Sequence, residues 1–337
     1  MRYLVTGAAG FIGFHVARRL LADGHEVVGI DGMTPYYDVL LKERRLARLA
    51  DHPGFTLRRF MLENDAAVME TFASHRPDCV IHLAAQAGVR YSLENPRAYV
   101  ASNIVGTFNI LEACRAFPVK HLMLASTSSA YGANEKHPFE ETDRAVHPIT
   151  LYAASKMSTE LMAHCYAHLF AIPVTAFRFF TVYGPWGRPD MAYYLFVRKI
   201  LAGEPIQLYN HGESWRDFTF IDDLVQSIML LAACVPPDPQ DRAGMPQSGI
   251  DTLSPVAAYR LVNIGGGQPV KLAHFVDEIE KALGVPAIRD LRPLPPGDVE
   301  RTFASADLLV ELTGQKPRTP ISVGIPAFVE WYRAHVN

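Results

Sequence analysis

Short apolar runs alternate with longer amphipathic stretches along this chain. Tyr3-Leu4-Val5-Thr6, Glu26 to Asp31, Phe55 to Phe60, Asp78 to Ala85, the run from His121 and Val174 to Phe180 read as strands. Most are apolar almost throughout, the pattern of strands buried on both faces. Helical periodicity falls between them, at Phe14 to Leu21, Val100 to Phe117, and Tyr152 through Met162 to Leu169. This alternation, kept up to about residue 177, predicts an α/β fold: a Rossmann-type, doubly wound parallel sheet built by right-handed crossovers. The expected first domain is 1–177, joined by about 216–232 and 259–266. A smaller α/β C-terminal domain is expected over 178–337, with a Pro- and Gly-rich surface loop at about 234–258. Trp215 to Asp223 is expected to open a helix, Leu272 to Leu283 to form one, and Pro293–Asp298 to turn. On a terminal amphipathic helix, Phe328, Trp331 and Tyr332 read as core contacts.

Glycines punctuate the first strand-to-helix junction. Gly7-Ala8-Ala9-Gly10-Phe11-Ile12-Gly13 has G-x-x-G-x-x-G spacing, one residue wider at the first gap than the common dinucleotide fingerprint. Gly7 permits a tight turn, Gly10 lets backbone approach a diphosphate, and Gly13 lets helix lie against strand. The helix N-terminus supplies free amides, so Gly7, Ala9, Gly10, Phe11, Ile12 and Gly13 are assigned to a cofactor. Asp31 ends the second strand about 20 residues on, where a carboxylate accepts hydrogen bonds from adenosine ribose hydroxyls. A carboxylate there repels a 2′-phosphate, so NAD is expected rather than NADP. Leu83, Ala84 and Ala85 at the fourth strand's end allow a cofactor ring to come close. Beyond them Gln86, Arg90 and Ser92 are candidates for substrate; for Arg90 a plain surface-loop arginine is the competing reading. His82, inside an apolar strand, reads as a satisfied core histidine.

The run His121 to Thr127 continues into Ser128 and Ser129, so four consecutive hydroxyls, Ser126 to Ser129, arrive at the carboxyl end of a buried strand. Tyr152 and Lys156 follow, four apart and therefore on one helix face. A hydroxyl, a phenol and an ammonium brought together suggest redox chemistry at an alcohol carbon. Asn103 and Asn109 within a helix hint at buried side-chain hydrogen bonds. His164, Cys165 and His168 have a spacing that can hold a metal, but no third ligand is nearby. A packed or subunit-facing helix is the better reading, and no metal is expected.

Composition narrows the rest. The 337 residues carry a net charge of −3, which leaves no nucleic-acid footprint. The densest positive patch is Lys42-Glu43-Arg44-Arg45-Leu46-Ala47-Arg48-Leu49. Its leucine spacing and Glu43 predict the solvated face of an amphipathic helix rather than a phosphate-binding surface. Cys79, Cys114, Cys165 and Cys234 are scattered, which suits reduced thiols in a cytoplasmic protein. No segment approaches the roughly 18–20 consecutive apolar residues of a membrane span, and no secretory region precedes the first strand. No membrane partner is expected.

Taken in order and spacing, Gly7-x-x-Gly10-x-x-Gly13, Asp31, His82-Leu83-Ala84-Ala85, the hydroxyl strand and Tyr152-x-x-x-Lys156 resemble the extended short-chain dehydrogenases/reductases, in their sugar-nucleotide epimerase and dehydratase group. The similarity is greatest to the UDP-glucuronate 4-epimerases. It is carried further by Tyr36-Tyr37-Asp38-Val39, Gln86 to Ser92, Phe179 to Met191 and Arg216-Asp217-Phe218-Thr219. That resemblance implies tightly held NAD, a UDP-sugar substrate in the smaller domain, and a homodimer formed through the helices near 103–116 and 152–168. It makes Tyr152 the acid/base, Lys156 the holder of the nicotinamide ribose and Thr127 the hydroxyl beside the sugar 4-OH. A free tyrosine titrates near 10; Lys156 and the nicotinamide cation are expected to lower this by roughly three units, about 4 kcal/mol. Related decarboxylases carry Glu at the position of Ser129, and related dehydratases an Asp-Glu pair at Ser128-Ser129. The hydroxyls of Ser128, Ser129 and Thr181 are therefore expected to hold a C6 carboxylate without supplying an acid or base. Arg188 and Arg216 resemble the nucleotide and diphosphate contacts. Met61 stands where many relatives have an adenine-binding Asp, and an Arg that other epimerases place before Gly297-Asp298 is missing. Competing readings are a UDP-glucuronate decarboxylase, a UDP-glucose 4-epimerase and a non-enzymatic dinucleotide sensor on the same scaffold.

Overall fold

The computed structural model describes residues 1–336 except 245–247 and 296–298. Its first half alternates β1 (Arg2–Thr6), α1 (Phe11–Ala22), β2 (Glu26–Asp31), α2 (Val39–Ala50), β3 (Phe55–Arg59), α3 (Asp65–His75), β4 (Cys79–His82), α4 (Gly106–Ala116), β5 (His121–Thr127), α5 (Leu151–Phe170) and β6 (Val174–Phe179). There follow β7 (Thr181–Tyr183), α6 (Ala192–Leu201), β8 (Ile206–Tyr209), β9 (Trp215–Phe220), α7 (Ile221–Ala232) and β10 (Tyr259–Ile264). The chain then runs through β11 (Pro269–Lys271), α8 (Leu272–Leu283), β12 (Arg289–Arg292), β13 (Arg301–Thr302), α9 (Asp307–Thr313) and α10 (Ile321–His335).

Seven parallel strands form one sheet in the order β10-β6-β5-β4-β1-β2-β3. The strand order reverses between β1 and β4, which opens a crevice at their carboxyl ends. Every residue of β4, β5 and β6 is buried, as their apolar runs require of strands covered on both faces. Side chains cap the helices: Asp38 accepts from the Leu40 amide (2.9 Å), Asn64 from Ala67 (3.1 Å) and Thr150 from Ala153 (3.2 Å). The mid-helix asparagines are tied down. Asn103, in a π-helical turn over Val100–Val105, bonds the Gln86 backbone and the Ser155 hydroxyl. Asn109 donates to the Leu62 carbonyl at 2.8 Å.

β9 pairs with β7, β11 and β13, and β8 with β12, making two small sheets beside the large one. Trp215 therefore opens a strand, and the expected helix starts only at Ile221. The reason lies in Asp217, whose carboxylate accepts the amides of Gly266, Gly267 and Ala304; those partners are far away in sequence. Phe328, Trp331 and Tyr332 are buried in the core. His164 bonds the Ser254 hydroxyl (2.8 Å) and His168 the Val256 carbonyl (2.6 Å), a packed helix face. Cys79 and Cys114 are free and buried. No helix among the described residues is long and apolar enough to cross a membrane.

Candidate active site

The glycine loop closes tightly over β1. Gly7 has φ +72°, and a side chain at Gly13 would meet the Gly7 carbonyl oxygen at 2.0 Å, so only glycine lets α1 start here. Asp31 fixes this loop: its carboxylate accepts the Ala9 amide at 3.0 Å and the Met33 amide at 2.8 Å. Across the crevice, the Thr6 hydroxyl accepts the amides of Leu83 and Ala84, each at 3.0 Å. His82 bridges Thr6 (2.8 Å) and Thr107 (2.9 Å). It is a core histidine, and burial lowers its pKa to about 3.

A cleft of about 790 Å³ runs from the glycine loop to the small sheets. Gly7, Gly10, Phe11, Ile12, Gly13, Asp31, Leu83, Ala84, Ala85, Gln86, Arg90, Thr127, Ser128, Ser129, Tyr152, Lys156, Thr181, Arg188 and Arg216 all line it. Two candidates do not. Ala9 is wholly buried beneath the loop, its amide already spent on Asp31. The Ser92 hydroxyl donates to the Val89 carbonyl at 2.6 Å within a short helical turn, which local hydrogen bonding favours over reaching out.

β5 ends at Thr127, and Ser128–Tyr131 turn at once into a 3₁₀ turn. Ser126 and Thr127 thus belong to the strand, while Ser128 and Ser129 lie on the turn; all four residues line the cleft, the Ser126 hydroxyl being turned to Glu160. The Thr127 hydroxyl and the Tyr152 phenol line the same cleft, and the hydroxyl acts to lower the phenol's pKa. Lys156 is buried, its ammonium has no hydrogen bond to a described residue, and burial lowers its pKa to about 8 against the opposing charge of Glu160. Glu160 itself takes a bidentate pair from Arg178 (3.0 and 2.7 Å) and a hydrogen bond from Ser126.

Burial pushes the Tyr152 phenol up, outweighing the Thr127 hydroxyl and the Arg188 charge that act downward. The depression expected from sequence is therefore not supplied by the protein's own groups. The sequence argument weighed the cations and omitted desolvation, which disfavours phenolate.

At the other end, Arg188 forms a bidentate pair with Asp190 (3.0 and 2.5 Å), and Asp190 also accepts from Tyr36 at 3.0 Å. The Arg216 guanidinium holds the carbonyls of Trp215, Val299 and Glu300 at 2.8–3.0 Å. The Gly297-Asp298 turn lies outside the described residues. Met61 lines the cleft, and its sulfur lies 2.2 Å from where a side chain on Gly32 would begin. Arg90 lies over the Tyr209 ring at 4.7 Å.

The basic run on α2 departs from expectation. Arg44 and Arg48 reach the surface near His335, but Lys42 and Arg45 are buried together with Leu41, Leu46 and Leu49. Lys42 donates to the Thr34 carbonyl (2.9 Å) and hydroxyl (3.2 Å) and lines the cleft. Spacing did place 42, 45, 46 and 49 on one face; that loop carbonyls would accept the cations had no local signal.

Backbone packed so closely at Gly13, a carboxylate at Asp31 and an ammonium at Lys156 with no hydrogen bond to a described residue together fit a dinucleotide. Comparison with known proteins agrees. The sequence profile of the NAD dependent epimerase/dehydratase family matches residues 3–240. The chain is 60% identical over 342 aligned positions, covering all of both chains, to a probable UDP-glucuronate 4-epimerase of Rhizobium meliloti (strain 1021). It is 43% identical to UDP-glucuronate 4-epimerase 3 of Arabidopsis thaliana, over 99% of this chain and 77% of that one. The crystal structure of a UDP-glucuronic acid 4-epimerase from Bacillus cereus, in complex with UDP-glucuronic acid and NAD, superposes with TM-score 0.87 at 30% identity and 99% coverage of both chains. The chain belongs to the NAD dependent epimerase/dehydratase family.

Proposed function

We propose that this protein interconverts UDP-glucuronate and UDP-galacturonate by epimerisation at C4. The observation that carries the reading is the end of β5: Thr127 and the Tyr152 phenol line one cleft, with Ser128, Ser129 and Thr181 as neutral hydroxyls beside them. Bound NAD supplies reversible hydride acceptance at C4, with no net redox change. Tyr152 takes the 4-OH proton and later returns it, oriented by the Thr127 hydroxyl. Lys156 offers its ammonium to the nicotinamide ribose. The C6 carboxylate makes the 4-keto sugar a β-keto acid, prone to lose CO2. Ser128, Ser129 and Thr181 hold that carboxylate by hydrogen bonds and offer no acid or base to assist its departure. Arg188 and Arg216 bind the nucleotide diphosphate. Gln86 and Arg90 border the sugar, while Ser92 acts through the turn that carries Arg90.

The acid groups of the cleft support epimerisation over decarboxylation. Asp190 is engaged by Arg188, Asp31 by the glycine loop, and Glu160, next to Ser126 at the β5 end, by Arg178, while Glu63 accepts from Ser102; Ser128 and Ser129 themselves bring no carboxylate. A homodimer fits the outward face of α5 and of α4 with the π-helical turn before it, where Val105 and Phe108 are 40% and 45% exposed and Leu161 and Leu169 68% and 66%. Free buried thiols accord with a cytoplasmic setting.

Incubation of purified protein with UDP-glucuronate, followed by NMR, tests the reading. UDP-galacturonate is the expected product. UDP-xylose with CO2 would convert it to a decarboxylase, and absence of turnover would leave a dinucleotide sensor.

A further inference from the structure

Arg45 is wholly buried, and all its donors are used. Nη1 donates to the Ala9 carbonyl (2.9 Å) and the Tyr37 hydroxyl (2.8 Å). Nε and Nη2 donate to the Trp186 carbonyl (3.2 and 2.6 Å), and Nη2 also to the Gly187 carbonyl (3.2 Å). Every acceptor is a neutral oxygen. Among the described residues no carboxylate lies within ion-pair distance of this guanidinium. A buried cation is usually paired, because desolvation costs several kcal/mol. This one instead spends its charge on two pieces of the cleft.

Those pieces are the two halves of the site. Ala9 sits in the glycine loop, where its amide also bonds Asp31. Trp186, held at φ +61°, and Gly187 immediately precede Arg188, whose partner Asp190 is bonded to Tyr36 beside Tyr37. A side chain on Gly187 would meet the Tyr193 hydroxyl at 2.0 Å, so this turn has little room to adjust on its own. The guanidinium is planar and its donors are rigidly disposed; a displacement of the glycine loop is therefore passed to the 186–188 turn and back.

We infer that Arg45 is a positioning residue that couples the cofactor loop to the nucleotide-sugar loop, so that occupancy of either site strengthens binding at the other. An anion on the glycine loop interacts favourably with this unpaired charge and holds the Ala9 peptide against it. The turn that aims Arg188 at a nucleotide diphosphate is held by the same contacts. The inference rests on the reading of the cleft given above. Coupling of this kind is reciprocal, and factors of about 5–150 are usual.

The test uses the NAD-loaded protein and measures the rate at which NAD is released, with and without saturating UDP. In the unaltered protein UDP is expected to slow release about tenfold. Arg45→Met is expected to release NAD faster and to reduce the UDP effect to less than about twofold, with UDP still bound through Arg216. A purely structural role would lower the melting temperature yet leave the UDP effect whole; that result overturns the inference, as does equal release with and without UDP in the unaltered protein. Should Arg45→Met not fold, Tyr37→Phe removes one acceptor and leaves the cation in place. A partial loss of the UDP effect is then expected, and an undiminished effect overturns the coupling. Failure to bind UDP at all is a separate result, measured by calorimetry, and overturns the reading of the cleft together with this inference.

Discussion

Lys156 is held in a place that destabilises the protein around it. Its ordinary pKa near 10.5 falls to about 8 through burial. At about 1.4 kcal/mol per pH unit, the gap represents about 3 kcal/mol by which the folded state disfavours the ammonium. The pH dependence follows from linkage. Below about pH 8 the lysine is charged in both folded and unfolded chains, and the folded state carries the full penalty. Between about 8 and 10.5 the folded lysine is neutral while the unfolded one still binds its proton, so stability rises with pH. Lys156→Met fills a similar volume without a charge. In NAD-free protein it is expected to be more stable than the parent by about 3 kcal/mol near pH 7 and by a clearly smaller margin near pH 9.5. Urea unfolding at the two pH values measures this. A variant that is less stable at both, or whose gain does not shrink at high pH, refutes the claim that burial of the ammonium is the cause. Turnover is expected to be lost in the same variant, since the ammonium proposed to hold the nicotinamide ribose is gone. Stability would then be exchanged for the charge that the chemistry needs.

Other substitutions probe separate parts of the site. Tyr152→Phe removes the proton acceptor, so turnover should fall at least 10²–10⁴-fold, the usual range for a general acid/base, while NAD stays bound by absorbance. Gly13→Ala places a methyl carbon 2.0 Å from the Gly7 carbonyl; it should abolish NAD retention on gel filtration, and retention would show that the loop can yield. Arg178→Met leaves the buried Glu160 carboxylate without its bidentate partner. A loss of about 3–5 kcal/mol in unfolding free energy is expected, largest at neutral pH and smaller in acid, where Glu160 can take a proton.

Much of the architecture was legible because it is written in local spacing. β2 runs over the residues anticipated, and β1, β3, β5 and β6 differ by a residue or so at their ends, since apolar runs and helical periods are properties of neighbouring residues. β4 is shorter than its apolar run, because Leu83 and Ala84 leave the sheet to bond Thr6. The Trp215 stretch misled for a related reason: its polar and aromatic residues suit a turn into a helix, and only Asp217 binding three distant amides makes them a strand. At the site, spacing revealed the glycine loop, Asp31 and the Tyr152–Lys156 face. It did not reveal that Ser92 would satisfy a neighbouring carbonyl, or that burial would outweigh charge at Tyr152.

The sequence by itself determined the alternation of strands and helices in the large parallel sheet up to about residue 177, the family, and the residue types gathered at the carboxyl end of that sheet. Those follow from periodicity and from short motifs whose members are at most a few residues apart. Tertiary structure alone decided what each charged group would face. Arg45 meets Trp186 across 141 positions of chain, and nothing near it in sequence says that its partners will be carbonyls of the glycine loop and of the Trp186–Gly187 turn. Desolvation has the same character: the pKa values of Lys156 and Tyr152 depend on how much water the whole fold excludes, a quantity that belongs to no segment.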